Sequence, residues 1–126
     1  ELIKEYNYIA GEKHGLFQEW NETGQLHKQC HYLNGKKDGL YHVWHYDTQL
    51  YKQCHYLNGE KDGLYKTWRD NGQLHKQYNY INGKKDGLCQ RYYYNGDLYK
   101  QTNYISGEKQ ILFQDFSEDR WVSMQW

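Results

Sequence analysis

The sequence predicts an all-β fold, an elongated antiparallel β-meander of tandem 24-residue β-hairpins. Three observations support this prediction. Several residue types recur with a constant spacing of 24, each period contains two extended runs rich in aromatic and β-branched residues, and turn-forming residues separate the runs. Since each period supplies two strands, we expect about eleven strands in the whole chain.

The 24-residue period continues through five units without insertion or deletion. Its clearest columns are Gly11, Gly35, Gly59, Gly83 and Gly107; Gly15, Gly39, Gly63 and Gly87; Leu16, Leu40, Leu64, Leu88 and Leu112; and Trp20, Trp44, Trp68, Tyr92 and Phe116. Residues 1–126 are therefore predicted to form one repeat domain. Because Ile111 and Arg120 stand where glycine is expected, residues 107–126 are predicted to be a divergent unit that caps the array.

Two turns divide each unit. The first contains Asn-Gly, beginning at Asn34, Asn58 and Asn82, which is a strong hairpin signal. The second has glycine at Gly24, Gly72 and Gly96. Thr48 replaces that glycine in the second unit, so its turn should be less ideal.

The cysteines are expected to be free thiols. Cys30 and Cys54 lie two strands apart, roughly 9.6 Å, whereas a disulfide needs Cα atoms within about 7 Å. His31 and His55 follow them directly and fall on the opposite face, so no metal site and no cofactor are predicted. Free cysteines are typical of an intracellular, reducing compartment.

The segment Gly11-Glu12-Lys13-His14-Gly15, with Tyr8 three residues before it, resembles the MORN repeat, although later units carry Asp38, Asp62 and Asp86 in place of the histidine. The chain is most similar to the variant class of bacterial antitoxin-like and giant-virus proteins. The resemblance implies a role as a scaffold, a dimerisation module or a lipid binder, or as an antitoxin-like partner that neutralises another protein. It also implies a viral or host cytoplasmic location.

No nucleophile with a neighbouring base can be named, and Asp38, Asp62 and Asp86 are interpreted as turn formers, so we predict no enzyme activity. The leading hypothesis is a non-catalytic scaffold or protein–protein interaction module that binds another protein or a copy of itself. Large aromatic side chains are enriched in binding hot spots. The predicted contact column is Trp20, Trp44, Trp68, Tyr92 and Phe116.

The alternative hypothesis is a module that binds anionic phospholipid membranes. Its candidate anion-binding residues are Lys28, Lys52, Lys76 and Lys100, which recur in mid-strand. Nucleic acid binding is disfavoured, because glutamate and lysine alternate beside the lysines of the first turn and dilute the positive field.

Overall fold

The computed structural model describes the backbone of residues 3–115 and 120–125 and the side chains of residues 3–110. Every regular element in this part of the chain is a β-strand. In chain order the strands are β1 Ile3–Glu5, β2 Tyr8–Ile9, β3 Glu12–Lys13, β4 Gly15–Trp20, β5 Leu26–Leu33, β6 Lys36–Lys37, β7 Gly39–Trp44, β8 Leu50–Leu57, β9 Glu60–Lys61, β10 Gly63–Trp68, β11 Leu74–Ile81, β12 Lys84–Lys85, β13 Gly87–Tyr92, β14 Leu98–Ile105, β15 Glu108–Asp115 and β16 Arg120–Gln125.

The main sheet is an antiparallel meander. Its order is β1-β4-β5-β7-β8-β10-β11-β13-β14-β15-β16, so eleven strands follow one another in sequence order, which confirms the predicted fold. The two-residue strands β6, β9 and β12 pair with β5, β8 and β11, and β2 pairs with β3. Each 24-residue period therefore contributes one pair of long strands and one short strand at the turn.

The first turn of each unit has the geometry that the Asn-Gly signal predicts. Asn34 has φ 50° and Gly35 has φ 82°, and positive φ at both central residues is the signature of a type I′ hairpin turn. The equivalent pairs in the other units also have positive φ, including Ala10-Gly11 and Ser106-Gly107. In the second turn Thr48 has φ 72°, a region that β-branched residues avoid, as predicted.

The second glycine column explains why the short strands are separate. Gly39, Gly63 and Gly87 have φ between 95° and 100°, which interrupts each strand after its turn. Ile111 takes this place in the last unit, and β15 runs continuously from Glu108 to Asp115. The terminal unit thus differs in backbone geometry because a branched side chain disfavours the glycine conformation. Its role as a cap stays a prediction.

The register shows which face of the sheet is buried. Phe17 pairs with Cys30 and Tyr41 pairs with Cys54, and their side chains point to the same side. All buried apolar residues among residues 3–110 lie on this side, which we call the tyrosine face: Phe17, Cys30, Val43, Cys54, Tyr78 and Cys89. The opposite side, which carries Leu16, Leu40, Leu64 and Leu88 with Trp20, Trp44, Trp68 and Tyr92, is called the leucine face.

The three cysteine thiols, which are unpaired in the structure, should react slowly in the native protein. Burial raises the pKa of Cys30, Cys54 and Cys89, and the thiolate is the reactive form. A thiol-specific chromogenic reagent at neutral pH should therefore label few thiols before unfolding. The same titration in guanidinium should count three. Fewer than three would reveal an internal disulfide and a wrong strand register.

Candidate interaction surfaces

Lysines of the first turn cover the tyrosine face. Lys37 Nζ lies 4.7 Å from the ring centroid of Tyr41 and 5.1 Å from that of Tyr56. Lys13, Lys61 and Lys85 each lie over two tyrosine rings in the same way. Each such contact contributes about 0.5–1 kcal/mol at an exposed site. These lysines are therefore part of the packing of the sheet.

Beneath the lysines, the environment of the tyrosine face is apolar enough to suppress ionisation. Burial, together with smaller electrostatic contributions from Cys30 and Cys54, raises the pKa of Tyr41 to about 12. Burial also raises the pKa of Tyr65 and Tyr80. The tyrosine face thus resembles a protein core that has cations on its outer surface.

The leucine face is more open to solvent. Leu40, Leu64 and Leu88 are 48%, 50% and 47% exposed. Leu33, Leu57, Ile81 and Ile105, which lie on the same face, are also exposed. Amide side chains run beside this apolar line, as in the hydrogen bond from Gln18 Nε2 to Gln29 Oε1 (3.0 Å) and in that from Gln90 Nε2 to Gln101 Oε1 (2.9 Å).

The predicted tryptophan column is half-buried. The side chain of Trp44 stacks on His42, with ring centroids 5.6 Å apart. Tyr92 donates a hydrogen bond to Gln90 Oε1 at 3.2 Å. Trp20 and Trp68 are also half-buried, whereas Phe116 lies outside the described residues. The assignment of this column to partner binding stays a prediction.

Trp44 also lines a pocket of about 420 Å³, formed by residues of β5, β7 and β8 and of the second turn, which we call the tryptophan pocket. Its aromatic walls are Tyr41, Trp44, Tyr46 and Tyr51, and its polar lining includes His27, His45, Lys28 and Lys52. Both histidines are fixed: His27 Nδ1 donates to the carbonyl oxygen of Trp44 (3.0 Å), and His45 Nε2 to that of Trp68 (3.2 Å). Of this lining, only Trp44, Lys28 and Lys52 were predicted as site residues from the sequence. Tyr46 lies in the second turn, outside the repeated strand positions on which the prediction rested.

The four predicted anion-binding lysines have different surroundings in the structure. Lys28 Nζ lies 3.9 Å from Glu19, and Lys52 Nζ lies over the rings of Tyr41 and Tyr65. Lys76 and Lys100 instead flank Arg91 through β-pairing. Arg91 is not among the site residues predicted from the sequence. The assignment of the four lysines to anion binding stays a prediction.

Asp38, Asp62 and Asp86, which recur every 24 residues, form hydrogen bonds beyond their own turns. Asp38 Oδ1 accepts a hydrogen bond from the backbone N–H of Asn58, 20 residues later. Asp62 accepts from Asn82 and Asp86 from Ser106 in the same way. These aspartates therefore tie each turn to the turn of the next unit, which their interpretation as simple turn formers did not include.

A comparison with protein-family models identifies three segments. The MORN repeat variant model matches residues 13–34, 61–82 and 85–106, which together are more than half of the chain. The chain belongs to the MORN repeat variant family. No curated protein matches it.

The match and the geometry agree, because each matched segment of this MORN repeat protein spans one long hairpin: β4–β5, β10–β11 and β13–β14. Residues 37–58 lie between two matches and form β7–β8 with the same register, as Tyr41 opposite Cys54 shows. The structure thus adds a further MORN unit at the expected place.

MORN repeats are commonly interaction modules, are typically non-catalytic, and often take part in protein or membrane-lipid interactions. Among the described residues of this chain, no group of three His, Cys, Asp or Glu side chains is close enough to hold a metal ion. A search of the same residues also finds no helix long and apolar enough to cross a membrane.

Proposed function

We propose that this MORN repeat protein is a non-catalytic scaffold that binds a protein partner through the leucine face and the adjoining tryptophan pocket. The observation that carries the proposal is the line of half-exposed aliphatic side chains on one face, with Leu64 50% exposed at its centre. Contiguous exposed apolar surface of this kind marks interaction sites. The lysines of the first turn cover the tyrosine rings, whereas the leucines have no such cover, so the leucine face is open to a partner. The tryptophan pocket adds Tyr41, Lys28 and Lys52 from the tyrosine face.

The chemistry of the surface favours a protein over a purely apolar surface such as lipid tails. Paired glutamine side chains, such as Gln18 with Gln29, lie beside the exposed leucines and provide hydrogen-bonding groups. Protein interfaces combine an apolar centre with about one hydrogen bond per 100–200 Å². A partner backbone or polar side chain can satisfy these amides, whereas an acyl chain cannot.

The tryptophan pocket indicates what the partner presents. Its aromatic walls suit one large apolar side chain, and its described lining includes Lys28 and Lys52 but no carboxylate. Electrostatic complementarity favours acidic residues beside that anchor. We therefore propose a partner segment with an aromatic or aliphatic anchor flanked by Asp or Glu. A second copy of the chain, or an antitoxin-like complex with a toxin, would be particular cases.

Substitutions at Trp44, Trp68 and Leu64 should separate binding from folding. Trp44→Ala and Trp68→Ala should each weaken association by about 30-fold, since hot-spot truncations cost about 2 kcal/mol or more. Leu64→Glu should abolish association with near-normal melting, because Leu64 is already half-exposed. Association is measured by titration calorimetry with a purified partner, and self-association by analytical ultracentrifugation.

A matched control is Tyr8→Ala, which removes an aromatic side chain that is 58% exposed and lies outside the tryptophan column. It should leave association unchanged. If Trp44→Ala and Trp68→Ala unfold the protein while Leu64→Glu binds its partner normally, the column belongs to the core and the proposed surface is wrong.

A further inference from the structure

One position on the tyrosine face changes its charge from unit to unit. The position is held by Glu19, Val43, Thr67 and Arg91. Backbone pairing sets each of these residues between two lysines on neighbouring strands: Lys4 and Lys28, Lys28 and Lys52, Lys52 and Lys76, and Lys76 and Lys100. The first unit thus has an anion between its two cations, and the fourth has a third cation.

The first unit shows the balanced arrangement. Glu19 is 3% exposed, and its carboxylate lies 3.6 Å from Lys4 Nζ and 3.9 Å from Lys28 Nζ. Arg91 stands at the same place between Lys76 and Lys100, on strands about 4.8 Å apart. Like charges at this spacing repel one another, and an anion among them would convert the repulsion to attraction.

Arg91 lines a small pocket of about 50 Å³, which we call the arginine pocket. The described lining contains four cationic side chains, Lys85, Arg91, Lys100 and Lys109, and no carboxylate. Thr102 and Tyr104 bring hydroxyl groups. One water needs roughly 10–15 Å³ of such space, so the pocket can hold a group larger than water but not a large ligand.

The arginine is held in place by the fold. Arg91 Nε donates to the hydroxyl of Tyr78 at 3.0 Å, and Tyr78 is only 7% exposed. Lys85 Nζ lies over the rings of Tyr78 and Tyr104, at 4.7 Å and 5.1 Å from their centroids. A guanidinium anchored through Nε can still offer its terminal N–H groups, which suit a tetrahedral oxyanion.

We propose that the arginine pocket binds a phosphate group. Arg91 would contribute paired donors, Lys85 and Lys100 would contribute charge, and Thr102 would donate through its hydroxyl. A soluble phosphate ester and a lipid headgroup both carry this group, and the pocket recognises the chemistry that they share. The lining of this site shares no residue with the leucine face or with the tryptophan pocket, so either proposal can fail without the other.

The test uses titration calorimetry of the full chain with inorganic phosphate and pyrophosphate at constant ionic strength set with chloride. Arg91→Thr should weaken binding by about tenfold or more, since it removes charge-assisted hydrogen bonds. Threonine is chosen because Thr67 occupies the equivalent position in the preceding unit. The charge control is Lys66→Gln, on the leucine face, where Gln18 and Gln90 are the equivalents. It should leave binding unchanged.

A gain-of-function variant tests the proposal without relying on loss of binding, which misfolding could also cause. Thr67→Arg places an arginine between Lys52 and Lys76 and should raise the number of phosphates bound per chain.

Phosphatidylcholine vesicles containing a phosphoinositide, compared with vesicles of equal charge from phosphatidylserine, distinguish a lipid headgroup from a soluble phosphate ester. Arg91-dependent preference for the phosphoinositide supports a headgroup, and binding of soluble phosphate alone supports a free ester. No binding by the wild type, or equal losses with Arg91→Thr and Lys66→Gln, would overturn the proposal.

Discussion

Deletion of residues 59–82 should leave a folded protein with one repeat fewer. The deletion joins Asn58 to Gly83, which recreates an Asn-Gly turn with positive φ at both residues. The turn-to-turn hydrogen bond from the N–H of Asn58 to Asp38 remains, and Gly83 takes the place in which Gly59 donates to the carbonyl of Lys37. Since repeat arrays are stabilised by each unit and its nearest neighbours, stability should fall only moderately.

Deletion of residues 59–70 should instead abolish cooperative folding. It removes β9 and β10, so that every later strand would have to run in the opposite direction and lose its native pairing register. Circular dichroism and thermal melting compare the two variants. We expect a cooperative transition for the 24-residue deletion and none for the 12-residue deletion. Equal folding of both would contradict the hairpin-repeat architecture.

The sequence predicted the meander because a fixed period and paired turn signals determine strand number and direction. It did not determine which face is buried, because both faces carry large side chains: Phe17 and Tyr41 on one, Leu16 and Trp20 on the other. Small cysteines at Cys30 and Cys54 leave room for the neighbouring rings, and both are only 2% exposed. This complementarity of size between paired strands becomes visible only once the register is known.

The candidate sites were predicted less completely. The tryptophan column follows from the period alone, but the pocket around Trp44 also needs Tyr46 from a turn and His27 from the irregularity that shifts the register beside Trp20. Arg91 was not predicted as a site residue, because it lies outside the lysine columns. Comparison of Glu19 with Arg91 across units could have revealed it, since a reversal of charge at one repeat position is a signal that the period exposes.

Gly63→Val should lower the free energy of unfolding by about 1–3 kcal/mol, the usual range for a residue held in a sparsely populated conformation. Gly63 has φ +98°, which a β-branched residue disfavours strongly. Space is not the cause: a Cβ at this position would meet its nearest neighbour, His55 Cβ, at 3.8 Å, which is ordinary contact. The variant must either keep the strained backbone or straighten the strand, as β15 does where Ile111 replaces glycine.

Straightening would move Asp62, which accepts the hydrogen bond from the N–H of Asn82, and would loosen the connection between units. Leu64→Val at the next position is the matched control and should change stability by less than about 0.5 kcal/mol, because β-branched residues suit an extended strand. Thr48→Gly is the reciprocal variant: it relieves a positive φ of 72° and should stabilise the protein by about 1 kcal/mol. Urea unfolding measures all three. If Gly63→Val and Leu64→Val were equally stable, the glycine column would owe its recurrence to something other than backbone conformation.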